Sequence, residues 1–81
     1  MEYDKLLSLR IQRLCKERGI TINRLATLSG LKQSSVDNII RGASKNPTVH
    51  TLHRIAITFN MTIAEFLDFP ELNQYILEDD E

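Results

Sequence analysis

Several things are scarce in this 81-residue chain, and each scarcity closes off a class of protein. A single cysteine, Cys15, cannot form an internal disulfide and fits a reducing compartment. No apolar run approaches the roughly 20 residues of a membrane span. The N-terminal Met1-Glu2-Tyr3-Asp4-Lys5 does not have the pattern of a signal peptide, so a cytoplasmic location is expected. Three glycines and two prolines leave no low-complexity linker and no glycine-rich phosphate loop. No period-2 run of β-branched residues extends far enough to make a strand. Basic residues are absent from the last third altogether. Residues 1–54 carry ten basic and four acidic side chains, a net +6, whereas residues 55–81 carry seven acidic ones and no basic one. The overall charge of -1 therefore hides a strong asymmetry, a pattern that points to nucleic-acid contact with an acidic tail.

What is present is helical periodicity. A first helix is expected over about Tyr3–Arg18, with Leu7, Ile11 and Leu14 inward and Gly19 as its stop. Leu6 and Leu9 fall outside that stripe. Thr21 suits the N-cap of a second helix, about Ile22–Ser29, which buries Ile22, Leu25 and Ala26 and ends at Gly30 with positive φ. A third spans about Gln33–Arg41, with Val36, Ile39 and Ile40 inward and Gly42 after it. After the loop 43–47, Thr48 caps a fourth, about Val49–Asn60, with Val49, Leu52, Ile55, Ala56 and Phe59 as its stripe. Thr62 caps a short fifth helix with Ile63, Phe66 and Leu67 inward. Glu71–Leu77 reads as one or two further helical turns, before a solvated acidic end at 78–81.

Between Ile22 and Arg41 the spacing is that of a helix-turn-helix. Ala26 and Val36 stand where two short helices touch, and Gly30 where the chain turns between them. Val36 and Ile39 face inward, which leaves Gln33, Ser34, Asp37 and Asn38 outward.

The chain resembles the phage Cro and repressor (XRE-type) helix-turn-helix family. The likeness rests on Arg18-Gly19-Ile20-Thr21, Leu25-Ala26, Gly30-Leu31, Val36-Asp37-Asn38-Ile39, Arg41-Gly42 and Pro47. Leu52, Ile55-Ala56, Phe59, Met61, Phe66 and Leu67 extend it, so that it covers about Leu7 to Leu67. It implies an all-α, five-helix lambda-repressor-like DNA-binding domain over 1–69, with an acidic C-terminal extension at 70–81 that could add a short extra helix. Three departures stand out. Ile22 occupies a position where the family often uses Gln against a phosphate. Lys32 stands where Ser or Thr often opens the third helix. Cys15 and Ile40 replace a common Arg–Glu pair, and two apolar partners in place of a buried ion pair are neutral or better. Cys15 is therefore expected to pack against Ile40.

A helix entering the B-DNA major groove presents its N-terminal residues to base edges. Gln33, Ser34 and Asn38 are the expected base readers, with Lys32 and Ser35 as secondary candidates. Gln and Asn can bond adenine bidentately, and Ser can meet either a donor or an acceptor. Phosphate contacts are expected from Thr21, Asn23, Arg24, Arg41, Lys45, Asn46 and Thr48. Among them Asn23 partly takes over the phosphate bond that the apolar Ile22 cannot make. Arg10, Arg13, Lys16 and Arg18 are read as solvated surface.

The resemblance also implies double-stranded DNA as partner and a homodimer on two half-sites. Phe69, Leu72, Tyr75 and Ile76 offer a dimer surface; alternatively they fold back on the first helix. With no effector domain in 81 residues, repression by promoter blocking is the simplest mode. No small-molecule ligand, cofactor or metal is expected. His50 and His53 lie three apart on the fourth helix and read as surface, because a zinc site needs three or four ligands. No serine or cysteine has a base beside it, so no enzymatic activity is expected. The rival reading is a protein-interaction module of the same fold, such as an antitoxin-like partner-binding protein.

Overall fold

The computed structural model describes residues 3–44 and 46–75 and is helical throughout its ordered elements. They are α1 (Tyr3–Arg18), α2 (Ile22–Ser29), α3 (Gln33–Ile40), α4 (Val49–Thr58), α5 (Ile63–Leu67) and α6 (Pro70–Asn73). The sixth is the optional C-terminal turn, opened by Pro70, whose fixed φ suits a first helical position; residues 76–81, where the rest of the expected span and the acidic end fall, lie outside the described residues.

Each of the first four helices ends in the same way. The second residue beyond the end of α1 and of α2, and the third beyond α3 and α4, donates its N–H to a carbonyl five residues back, while the residue before it closes a tighter bond. The long bonds run from Ile20 to Cys15, Leu31 to Ala26, Ala43 to Asn38 and Met61 to Ala56. This is the Schellman arrangement, which needs a left-handed residue at the bend. Glycine fills that position three times, and Asn60, with φ of 60°, fills it the fourth. The bend at Asn60 is why α4 stops at Thr58 rather than running on to Asn60. Asn tolerates that conformation better than other side-chain-bearing residues.

The N-termini are capped as expected. The hydroxyls of Thr21, Thr48 and Thr62 accept from the N–H groups of Arg24, Thr51 and Glu65. The Glu65 carboxylate in turn accepts from the Thr62 N–H, which makes a full capping box. Lys32 opens α3 with no side-chain cap bond.

One core holds these helices together. Leu7, Ile11 and Leu14 of α1 meet Leu25 and Ala26 of α2, Val36 and Ile39 of α3, Leu52, Ile55, Ala56 and Phe59 of the α4 region, and Phe66 of α5. Cys15 is buried in this cluster, and Ile40 is half-buried against the cluster. Burial raises the Cys15 thiol pKa, the direction that disfavours the thiolate.

One expectation about packing is corrected. Val49 shares the helical face of Leu52 but is 71% exposed. It is the first residue of α4, and the core begins one turn later. Leu6 lies off the main stripe, as expected, and is 2% exposed. It and Phe69 are buried apart from the main cluster, at the side of α1 that receives the C-terminal segment.

Candidate nucleic-acid interface

The α2–α3 unit turns through Gly30, Leu31 and Lys32. Gly30 has φ of 74° and bonds back to the end of α2. Leu25, Ala26, Val36 and Ile39 are all nearly inaccessible, so the two helices meet through them. Burying that side fixes which residues of α3 face away from the protein. Gln33, Ser34 and the preceding Lys32 are exposed, and Ser35, Asp37 and Asn38 are half-buried.

The outward residues touch one another. Gln33 Nε2 donates to Asp37 Oδ1 at 2.9 Å, and Arg41 Nη2 donates to Asn38 Oδ1 at 2.6 Å. A cleft of about 380 Å³ is lined by Ser34, Asp37, Asn38, Ile40 and Arg41. A second, of about 250 Å³, lies between α3 and the start of α4. Ser35, Asn38, Asn46 and Thr48 line it together with Ser44 and Thr51, which sequence reasoning missed. Thr51 was legible as the residue three after the cap Thr48; its N–H and hydroxyl both bond the Thr48 hydroxyl at 3.1 Å.

The remaining candidates divide by neighbourhood. Thr21, Asn23 and Arg24 are exposed around the start of α2, and Arg41 is exposed just past α3. Lys45 lies outside the described residues. The structure thus brings Ser35, Asn38, Asn46 and Thr48 to one cleft, with Arg41 joined to Asn38. Thr21, Asn23 and Arg24 stand together at the other helix start.

Three arginines read as solvated surface also bond helix C-termini or α6, Arg13 and Arg18 while remaining exposed. Arg10 donates to the carbonyls of Phe66 and Glu65, both at 2.9 Å, and lies 5.3 Å over the Phe69 ring. Arg18 donates to the Phe59 carbonyl at 2.6 Å. Arg13 pairs with Glu71 at 2.8 Å. Arg54, which sequence reasoning missed, donates to the Ser29 carbonyl at 2.7 Å. Free carbonyls and the negative end of the dipole make a helix C-terminus a natural seat for a cation. Part of the basic excess is therefore structural. Arg24, Lys32 and Arg41 remain exposed beside the α2–α3 unit.

A glycine-turned pair of short helices, with the first buttressed from behind and the second showing a polar row outward, defines a helix-turn-helix DNA-binding unit. Comparison with known proteins sharpens this. Residues 10–71 match the Cro/C1-type HTH DNA-binding domain, and the chain belongs to that family. It is 38% identical over 60 residues to the HTH-type transcriptional regulator SlrR of Bacillus subtilis, covering 73% of this chain and 40% of SlrR. It is 33% identical over 67 residues to SutR of Escherichia coli, covering 83% of this chain and 37% of SutR. The chain thus spans about two fifths of the length of these relatives. In structure it is similar to prophage Lp1 protein 11, with a TM-score of 0.80 and 35% identity over 91% of this chain and 97% of that one. An HTH_3 family transcriptional regulator from Vibrio cholerae superposes with a TM-score of 0.71 and 28% identity, covering 80% of this chain and 36% of that one.

Among the described residues no helix is long and apolar enough to cross a membrane. His50 and His53 are both exposed on α4.

Proposed function

We propose that this chain is a sequence-specific, double-stranded-DNA-binding transcriptional repressor that reads the major groove with α3. The observation that carries the reading is the outward row of α3, where Gln33, Ser34 and Asn38 project from a helix whose opposite side is locked into the core. Gln33, Ser34 and Asn38 read base edges, with Lys32 and Ser35 beside them. Arg24, Arg41, Lys45, Asn46 and Thr48 hold phosphates, and the start of α2 at Thr21 and Asn23 offers backbone N–H groups to another.

One α3 reads few base pairs, so a two-fold homodimer on half-sites about 34 Å apart supplies the rest of the specificity. A chain seated on such a site blocks a promoter without further chemistry, so we assign it no catalytic role. Residues 1–69 form the DNA-binding part, and the acidic stretch from 70 onward lies away from the duplex. Two contacts support that placement: Arg13 pairs with Glu71, and the Arg10 guanidinium sits over Phe69. Both arginines belong to α1, behind the α2–α3 unit.

The test is selection of binding sites from a random duplex pool, followed by affinity measurement at two salt concentrations. A palindromic site and affinity that falls with salt are expected. Absent or salt-insensitive binding would overturn the reading in favour of a protein-interaction module, to which the exposed Leu28 and Ile57 would then contribute.

A further inference from the structure

The two amide side chains on the outward side of α3 are each held by a charged neighbour. Gln33 and Asp37 are four residues apart, Asn38 and Arg41 three apart, the spacings at which helical side chains meet. An amide alone is ambiguous. Its oxygen accepts, its nitrogen donates, and half a turn about the last bond exchanges the two. A carboxylate only accepts and a guanidinium only donates. Asp37 therefore holds the nitrogen end of Gln33, and Arg41 the oxygen end of Asn38.

We infer that Asp37 and Arg41 determine base specificity without touching a base, by fixing the donor–acceptor polarity of Gln33 and Asn38. The inference rests on α3 being the groove helix. With one amide hydrogen given to Asp37, Gln33 retains its oxygen and a second hydrogen. With one oxygen lone pair taken by Arg41, Asn38 retains the other and both hydrogens. Each thus shows an acceptor beside a donor. Adenine presents the complement, an N6 donor beside the N7 acceptor. Guanine presents two acceptors, O6 and N7. Gln33 could satisfy both only by turning its nitrogen wholly toward the base, which gives up the bond to Asp37.

The cost of the device is visible in its sign. A carboxylate in the groove-facing row repels phosphates and weakens binding to every sequence. Asp37 is the only acidic residue between Arg18 and Arg54, so the basic half of the chain places its one central negative charge beside Gln33.

The experiment uses the site selected by the full chain. Gln33→Ala identifies the base pair that Gln33 reads, as the position where preference relaxes. Asp37→Ala and Asp37→Asn are then compared on duplexes carrying adenine or guanine there. Asp37→Asn keeps the size of the side chain but offers a nitrogen as readily as an oxygen, so it can hold either end of the Gln33 amide. Both variants are expected to bind random DNA more tightly than the parent. The parent is expected to favour adenine by about tenfold or more, the factor that a good bidentate contact confers. Asp37→Ala and Asp37→Asn are both expected to lose most of that preference, and Gln33→Ala/Asp37→Ala to lose no more than Gln33→Ala alone. Full discrimination by Asp37→Ala or by Asp37→Asn would overturn the inference. A parent chain that selects no site at all overturns instead the groove reading on which it rests.

Discussion

Arg54 reaches from α4 to the turn of the helix-turn-helix, where its Nε donates to the Ser29 carbonyl at 2.7 Å. The guanidinium lies so close to the next residue that a Cβ on Gly30 would stand 2.5 Å from Arg54 Nη2. Gly30 is thus constrained twice, by a φ of 74° and by the arginine above it. Gly30→Ala is expected to cost about 1–2 kcal/mol for the left-handed backbone alone. Arg54→Ala is expected to cost about 1 kcal/mol, because the arginine is largely solvent-exposed and its bond is worth less than a buried one. Since the methyl added at position 30 already displaces the guanidinium, the double variant is expected to cost less than the two single costs together. Urea unfolding of the four proteins measures this directly, and strict additivity would show that the two sites are independent.

The division of the arginines makes a second prediction, read in salt dependence. Arg18 is committed to the Phe59 carbonyl and Arg10 to the end of α5, whereas Arg24 is exposed at the start of α2. Arg24→Ala is expected to weaken binding to all sequences and to flatten the slope of log affinity against log salt by about one unit. Arg18→Ala is expected to lower stability and leave that slope unchanged. A slope that changes equally in both variants would mean that Arg18 also meets phosphate.

These two arginine groups show where sequence reasoning stops. The α2–α3 unit was legible because its signals are local: Thr21 as cap, Gly30 as bend, and Ala26, Val36 and Ile39 at helical spacing. The outward row followed by subtraction. The destinations of Arg10, Arg18 and Arg54 were not legible, because each bonds a carbonyl 25 to 56 residues away along the chain. A basic residue bonded to a helix end looks the same in sequence as one waiting for DNA. Val49 was misplaced for a related reason: periodicity assigns a face but not where along the helix the core begins. Asn60 was legible in principle, since Asn is the usual substitute for Gly at a left-handed helix end.

The C-terminal turn carries a pH prediction. Hydrogen bonding from Arg13 lowers the Glu71 carboxyl pKa below its ordinary value of 4.5, helped by its backbone and by the charges of Arg13 and Arg10. A depressed carboxylate pKa stabilises the folded form above the unfolded value, and that contribution is lost as pH falls through the folded one. Attachment of α6 to α1 is therefore expected to be constant at neutral pH and to loosen only below about 4.5. Hydrogen exchange of the Asn73 and Gln74 amides, which bond back to Phe69 and Pro70, reports it. Glu71→Gln is expected to remove the acid-dependent step, and its persistence in that variant would place the titrating group elsewhere.

Cys15 and Ile40 supply the sharpest stability test, because two apolar residues occupy a place that can hold a charged pair. Cys15 is 5% exposed and lies in the core against which Ile40 packs. A lone charge introduced there leaves water without gaining an opposite charge. Cys15→Arg is therefore expected to destabilise the fold by about 3–5 kcal/mol, the scale of a buried charge left uncompensated. Ile40→Glu is expected to cost less, since Ile40 is half-buried and the new carboxylate can turn toward solvent. Combining the two builds an ion pair. The double variant is expected to recover much of the loss, giving a coupling energy of roughly 2 kcal/mol in a double-mutant cycle. Chemical denaturation of all four proteins at neutral pH supplies the cycle, and simple additivity would show that positions 15 and 40 do not face each other.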